Sequence, residues 1–230
     1  SDNRLKVKVA DKTIVSDKAF DYEQGTWAHV ALVYYDQGTV SAYYNYEQLI
    51  SAAEVGEYNG EGAYVFGASV DGSGHFAGKM HGARIWDKVL TPARLQTNSL
   101  TMLSGAESNL IAYYPMSEAK GNVLADKAHG ANLEMRGGEW ANPEGRAAAF
   151  NGKDQYLKLS SGSSCVVDNS MDYTIETWFK ADEAQQTATI ISNGRGDGEE
   201  MGGSLNLFAL NLEEGRLVFH NNGVRVACDG

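Results

Sequence analysis

The alternation of apolar and polar side chains predicts β-strands along most of the chain. Apolar and polar positions alternate in residues 4–9 and again in residues 173–180, a pattern typical of strands with one buried face. Residues 27–35 form a nearly continuous apolar run, which indicates a central strand. The turn at residues 36–39 (DQGT) leads into a Tyr-rich strand at residues 40–46, so a hairpin is predicted there.

One segment departs from the period of a strand. Thr91 suits a helix N-cap, Pro92 suits the first helical position and Leu95 falls on the inner side, which predicts one short helix near residues 91–103. Further strands are predicted at residues 13–15, 47–53, 63–68, 76–86, 110–114, 147–150, 155–159, 189–192, 204–210, 216–220 and 224–228. The fold class is therefore all-β, a two-sheet antiparallel sandwich with one short helix.

The stretch from Gly78 to Pro115 separates two β-rich units, predicted as residues 1–105 and residues 106–230. The beginning of the chain is also weakly similar to its end: residues 3–17 parallel residues 215–229. This similarity predicts that the chain begins and ends in the same hairpin of successive repeats.

The order of these motifs resembles the laminin-G-like domains of the concanavalin A-like superfamily, which are jelly-roll sandwiches found in tandem in secreted proteins. The most specific blocks are residues 27–31 (WAHVA) and residues 84–86 (RIW). A complete domain of that family would begin near Leu110 and end near Leu95, so the blocks stand in permuted order here. The resemblance implies a repeat of a large extracellular or cell-surface protein, flanked by similar repeats.

Two arrangements follow from the permuted order. The two units can close on each other as one sandwich, because such folds bring their termini close together. Alternatively, each unit can belong to a different sandwich and pair with neighbouring chains by exchange. A half-sandwich alone would expose an apolar face and unpaired strand edges.

The charge of the chain narrows the choice of partners. Thirty acidic and 19 basic residues give a net charge of −11, which argues against nucleic acid or an anionic membrane surface as partner. No run reaches the ~18 apolar residues of a membrane-spanning helix, so no membrane insertion is predicted. The two cysteines, Cys165 and Cys228, are too few for a disulfide scaffold, and the sequence leaves their pairing open.

The family resemblance implies a possible calcium site. Such domains often hold calcium beside the first and last strands, and the matching positions here are Asp126, Glu118 and His129. Calcium needs ~6–8 oxygen ligands. His81-Gly82 and Ser117-Glu118 stand where Asp-Glu is common in the family, and the missing carboxylates weaken the expected site. The alternative role of Asp126 is to cap its own loop.

Carbohydrate binding would need exposed aromatic rings, because a flat ring stacks on the face of a sugar. Trp27, Trp86 and Trp178 lie in the motif strands and are assigned to the core. The candidates for ligand binding are Tyr43, Tyr46, Tyr58, Tyr64 and Trp140.

Catalytic signals are weak. A retaining glycosidase needs two carboxylates ~5–5.5 Å apart, and Glu176 stands alone in its strand. His29 lies between Ala28 and Val30 and is interpreted as a core histidine. The tripeptide Arg195-Gly196-Asp197 matches an integrin-recognition motif but is interpreted as a plain loop.

The function expected from the sequence is a non-catalytic recognition or adhesion module that binds a glycan or a protein surface through edge loops. A structural spacer repeat without a specific ligand is the second hypothesis. A relative of the glycan hydrolases is the third.

Overall fold

The computed structural model describes residues 4–9, 12–19, 22–36, 38–54, 63–70, 72–141, 147–160, 171–182, 188–194, 206–213, 216–221 and 224–229. In the first half the elements are β1 (Arg4–Val9), β2 (Lys12–Ala19), β3 (Ala28–Tyr35), β4 (Thr39–Tyr44), β5 (Glu47–Glu54), β6 (Ala63–Phe66), β7 (Ala77–Trp86) and helix α1 (Pro92–Ser99). In the second half they are β8 (Leu110–Tyr114), β9 (Val123–Leu124), β10 (Leu133–Arg136), β11 (Glu139–Trp140), β12 (Ala148–Asn151), β13 (Tyr156–Leu159), β14 (Tyr173–Ala181), β15 (Ala188–Gly194), β16 (Asn206–Glu213), β17 (Arg216–Asn221) and β18 (Val224–Asp229). Tyr58, Cys165 and the tripeptide at residues 195–197 lie outside the described residues.

The strands form two antiparallel sheets, which confirms the predicted class. A ten-stranded sheet has the order β2-β1-β18-β17-β16-β15-β6-β13-β10-β9. An eight-stranded sheet has the order β11-β12-β7-β14-β3-β4-β5, and β8 pairs with β7 beside β12. The only helix within the described residues is α1, and none there has the length and apolar character needed to cross a membrane.

Strands from both halves of the chain alternate within each sheet. In the eight-stranded sheet, β14 of the second half lies between β7 and β3 of the first half. In the ten-stranded sheet, β6 lies between β15 and β13. Each sheet therefore contains strands from both sides of the boundary expected between residues 105 and 106. The two similar terminal hairpins occupy neighbouring places, because β1 pairs with β18 and places Leu5 opposite Cys228.

The main core fills the space between the two sheets. On β14, Tyr173, Ile175 and Phe179 point into this core, as the alternation of the sequence predicts. The residues between them, Glu176 and Trp178, point to the opposite side, which we call the outer face of the eight-stranded sheet.

Helix α1 covers part of this outer face. The Thr91 hydroxyl accepts a hydrogen bond from the Arg94 amide (3.4 Å), and Leu95 is fully buried against Trp86 and its neighbours on the outer face. The helix ends at Ser99, four residues before the predicted end. The hydroxyl groups of Ser99 and Thr101 bond to carbonyl oxygens of the preceding turn, a competition that favours termination.

Candidate functional site

Two of the predicted ligand-binding tyrosines are buried. Tyr43 is 5% exposed and packs with Trp86 and Leu95, whereas Tyr64 is 0% exposed and belongs to the core between the sheets. Neither ring offers a free face for a sugar, so the prediction that these two residues are exposed is wrong. The reason is that a tyrosine in a strand faces whichever side the strand register dictates.

Trp140 is partly buried at the edge of the eight-stranded sheet. Its ring packs against the core between the sheets, and its Nε1 donates a hydrogen bond to the carbonyl of Gly121 (2.9 Å). Trp140 therefore closes the edge of the core on the side away from the outer face.

Asp126 caps its own loop. Its Oδ1 accepts hydrogen bonds from the amides of Tyr113 and Ala128 (both 2.9 Å), and its Oδ2 accepts from those of His129 (3.1 Å) and Ala131 (3.0 Å). The residue is 8% exposed. Four amide donors occupy the two oxygens, so this carboxylate has little capacity left for a metal ion.

The other two expected calcium ligands do not complete a site. Glu118 accepts a hydrogen bond from the Ala125 amide through Oε1 (3.0 Å), while its buried Oε2 has no hydrogen-bond partner. His129 contacts the Leu110 carbonyl through Nε2 (3.0 Å). Within the described ranges, no three acidic, histidine or cysteine side chains form a group that could hold a metal. The donor set at Asp126, Glu118 and His129 therefore does not fit calcium.

The structure instead places five aromatic side chains together on the outer face. Trp178 of β14 is paired with His29 of β3 on one side and with His81 of β7 on the other. Trp27 and His29 flank the core residue Ala28 and so share this face. Tyr46 joins them from the turn between β4 and β5. We call Trp27, His29, Tyr46, His81 and Trp178 the outer cluster.

The rings of the outer cluster contact one another in a defined geometry. The rings of His81 and Trp178 are parallel, with an interplanar angle of 4° and centroids 5.8 Å apart. The Trp27 ring stands at 77° to the His81 ring, 4.7 Å from it. The His29 ring makes an edge contact with Trp178 (5.3 Å) and a tilted contact with Tyr46 (5.0 Å). Contacts between adjacent rings of this kind hold each ring in place.

A bulge in β7 gives His81 its position. The register of β7 against β14 shifts between Glu176 and Trp178, next to Gly82. Gly82 has a φ of 65°, a conformation that favours glycine. Because of the bulge, His81 and Arg84 are both on the outer face, while Met80 and Ala83 are in the main core.

Hydrogen bonds among three buried side chains, those of His29, Glu176 and Trp86, support the outer cluster. His29 Nε2 lies 2.9 Å from Glu176 Oε2, and Trp86 Nε1 donates to Glu176 Oε1 at 3.1 Å. His29 is 0% exposed and Glu176 is 1% exposed. Both side-chain oxygens of Glu176 thus have a hydrogen-bond partner, as buried polar atoms require.

Further hydrogen bonds connect the cluster and the neighbouring Arg84 to the last residue of α1 and to the chain that follows it. The hydroxyl of Tyr46 lies 2.6 Å from the Ser99 hydroxyl, and Trp178 Nε1 donates to the Ser99 carbonyl at 3.4 Å. Arg84 donates to the Gly82 carbonyl (2.8 Å) and to the Thr101 carbonyl (3.3 Å). The end of the helix therefore forms one wall of the site.

Tyr46 adopts a conformation that is uncommon for its residue type. Its φ is 71°, and that of Asn45 is 45°. The side-chain Oδ1 of Asn45 accepts a hydrogen bond from the His29 amide at 2.9 Å, which fixes the turn against β3. A bulky residue at positive φ is strained, and such strain is often found at functional positions.

The outer cluster has an exposed rim. Trp27 is 38% exposed, and Leu100 and Met102, which follow Ser99, are 69% and 81% exposed. The assignment of Trp27 to the core was therefore wrong, whereas Trp86 is buried as predicted. The signal that could have identified Trp27 is its place two residues before His29, on the face opposite to Ala28 and Val30.

His81 is uncharged at neutral pH. Burial, together with the positive charge of Arg84 and the proximity of His29, lowers the pKa of His81 from 6.5 to about 4. Its ring is therefore a neutral aromatic surface parallel to that of Trp178.

Comparison with known proteins supports the family resemblance over part of the chain. Residues 1–96 match the laminin G family model described as concanavalin A-like lectin/glucanases superfamily. No curated protein and no solved structure matches the chain. The matched range includes Trp27, His29, Tyr46 and His81, while Trp178 and Glu176 lie beyond it.

Proposed function

We propose that this chain is a non-catalytic recognition module that binds a glycan through the outer cluster. The observation that carries the proposal is the exposed ring of Trp27 in edge contact with His81, which in turn lies parallel to Trp178. Aromatic rings at an angle can contact both a face and an edge of a sugar ring.

The rigidity of the cluster supports a binding role. Trp178 is held by its Nε1 hydrogen bond and by His29, and His29 is held by Glu176. Because these side chains are ordered before a ligand arrives, binding costs little conformational entropy. The proposed site thus lies on the outer face of a sheet, whereas the sequence had suggested edge loops.

The same geometry supports a role without catalysis. Glu176 is the carboxylate beneath the cluster, and it is 1% exposed with both oxygens hydrogen-bonded. A general acid or base must come within hydrogen-bond reach of the proton that it transfers. Glu176 is therefore a structural residue in this proposal, and its role is to position His29 and Trp86.

The setting of the module is part of the proposal. Laminin-G-like domains are often extracellular and bind glycans or proteins, and the match over residues 1–96 supports the same setting here. We place the module in an extracellular or cell-surface protein, next to similar repeats.

The test is a glycan array followed by titration calorimetry of the glycans that bind. Trp27→Ala should reduce affinity at least tenfold, because it removes the exposed ring. Trp140→Ala is the matched control, since Trp140 packs on the opposite side of the same sheet, and it should leave binding unchanged. If Trp140→Ala abolished binding and Trp27→Ala did not, the proposed location of the binding site would be wrong. An array without any bound glycan would favour a spacer.

A further inference from the structure

We propose that the outer cluster selects a glycan that carries a carboxylate, a uronic acid residue, and that Lys79 and Lys180 bind this carboxylate. The inference rests on the function proposed above and names the chemical class of its ligand. It starts from the arrangement of charges at the open end of the outer face.

Lys79 and Lys180 are directly opposite each other on neighbouring strands. The register pairs Lys180 of β14 with Lys79 of β7. Phe179 and Ala181, the neighbours of Lys180, are in the main core, and so is Met80, the neighbour of Lys79. Both lysines are therefore on the outer face, two residues from Trp178 and His81 respectively.

Two like charges at directly opposed positions destabilise a sheet. The described part of the chain provides no ion-pair partner within 4.0 Å for either ammonium group. The other neighbour of Lys79 is Ala149, which carries no charge. Asp182 follows two residues after Lys180 and is exposed, yet it pairs with neither lysine. Two neighbouring ammonium groups without an ion-pair partner can together bind an anion.

The lysine pair adjoins the exposed ring of the cluster. Trp27 comes one residue before Ala28, the partner of Phe179, so Trp27 lies beside Lys180. The Gly25 amide, which bonds to the Ala181 carbonyl at 3.0 Å, continues this register. A sugar stacked on Trp27 therefore has its rim close to Lys180. In a uronic acid the carboxylate projects from the rim of the sugar ring, where the lysines can reach it.

The positive charges of Lys79 and Lys180 make the site selective for an anionic ligand. His81 is neutral, and Glu176 is buried and hydrogen-bonded. Among the described residues, the exposed carboxylates Asp182 and Glu23 also lie near this end of the face, and neither forms an ion pair with Lys79 or Lys180. The chain as a whole carries a net charge of −11. More distant acidic residues are screened over about 8 Å at physiological salt, so the local pair governs binding at short range.

The experiment compares ligands that differ only in charge. The probes are oligomers of galacturonic acid and the same oligomers with methyl-esterified carboxylates, with poly-glutamate as an acidic peptide. The free acid should bind at least tenfold more tightly than the ester. Its affinity should fall as salt is raised from about 50 to about 500 mM, because the contact is ionic.

Variants of the two lysines complete the test. Lys79→Gln with Lys180→Gln should reduce binding of the free acid at least tenfold and leave binding of the ester unchanged. The exposed residues Lys120 and Lys127 serve as the control, since replacing both with Gln removes the same two charges elsewhere and should have no effect.

The possible failures separate the two proposals. If the ester binds as tightly as the acid, and Trp27→Ala abolishes binding of both, the recognition site stands and its acidic preference is overturned. If poly-glutamate binds and no uronate does, the glycan assignment is overturned. If neither oligomer nor any glycan of the array binds, both proposals fail.

Discussion

His29 Nε2 lies 2.9 Å from Glu176 Oε2, and both side chains are closed off from solvent beneath Trp178 and Tyr46. This contact joins β3 of the first half of the chain to β14 of the second half. It also supports the outer cluster, because His29 contacts two of the rings. The stability of the sandwich and the shape of the site therefore depend on the same two residues.

Removing the carboxylate should destabilise the fold strongly. Glu176→Ala leaves His29 and the Trp86 N–H without their acceptor in a buried setting, and we expect a loss of about 3–5 kcal/mol in the free energy of unfolding. Urea denaturation measures this change. The exposed residue Glu139 gives the control, since Glu139→Ala should change the stability by less than about 0.5 kcal/mol. Equal effects of the two substitutions would contradict the role assigned to Glu176.

His81 should make the fold sensitive to acid. Its pKa is about 4 in the folded chain and about 6.5 in the unfolded chain, so between these pH values the unfolded chain binds a proton that the folded chain does not. Stability therefore falls as the pH is lowered from 6.5 towards 4, by up to about 3 kcal/mol from this group.

His81→Phe keeps an aromatic ring against Trp178 and removes the titrating group. Denaturant unfolding of both proteins is compared at pH 7.5 and pH 4.5. The carboxylates of the chain contribute equally to the pH dependence of stability in both proteins. The variant should lose less stability than the wild type on acidification. The interpretation fails if both proteins lose the same amount.

Asp126 should be important for folding and insensitive to calcium. Asp126→Ala leaves the amides of Tyr113, Ala128, His129 and Ala131 without their acceptor, and a loss of about 3 kcal/mol or more is expected. Because the four amides occupy the carboxylate, the wild-type melting temperature should be equal in calcium and in a chelator. A melting temperature that rises with calcium, and does so only while Asp126 is present, would show that the loop rearranges around the ion.

Gly78 should tolerate no side chain. Its φ is 150°, and a Cβ atom there would meet the Lys180 carbonyl oxygen at 2.2 Å, where two backbones approach closely. Gly78→Ala must either separate β7 from β14 or strain both strands, and a loss of more than about 2 kcal/mol is expected.

The control for this effect is Gly121→Ala, at a position with a φ of 79° and open space around it. It shows the cost of the backbone conformation alone. A smaller loss at Gly78 than at Gly121 would contradict the close approach of the two strands. The pairing of β7 with β14 also places Lys79 opposite Lys180. Gly78→Ala should therefore also weaken binding of the free galacturonate oligomer.

Local pattern was sufficient for the fold class and for much of the element content. The alternation at residues 173–180 placed Ile175 and Phe179 on one face and Glu176 and Trp178 on the other, and the structure has them so. Thr91, Pro92 and Leu95 located the start of α1, since capping and proline preferences act within one turn. The end of α1 was misplaced, because hydroxyl contacts from Ser99 and Thr101 decide it.

The site depended on pairings that no local pattern encodes. Trp27, Tyr46, His81 and Trp178 are far apart in the sequence, and only the register of β3, β7 and β14 brings them together. Tyr43 is buried through the pairing of β4 with β3, and Tyr64 through the place of β6 in the ten-stranded sheet. The register of β7 against β14 also sets Lys79 opposite Lys180. The sequence by itself determined which stretches become strands, because that choice is local. Only the tertiary structure decided which faces meet, because a shift of one residue moves every side chain of a strand to the other face.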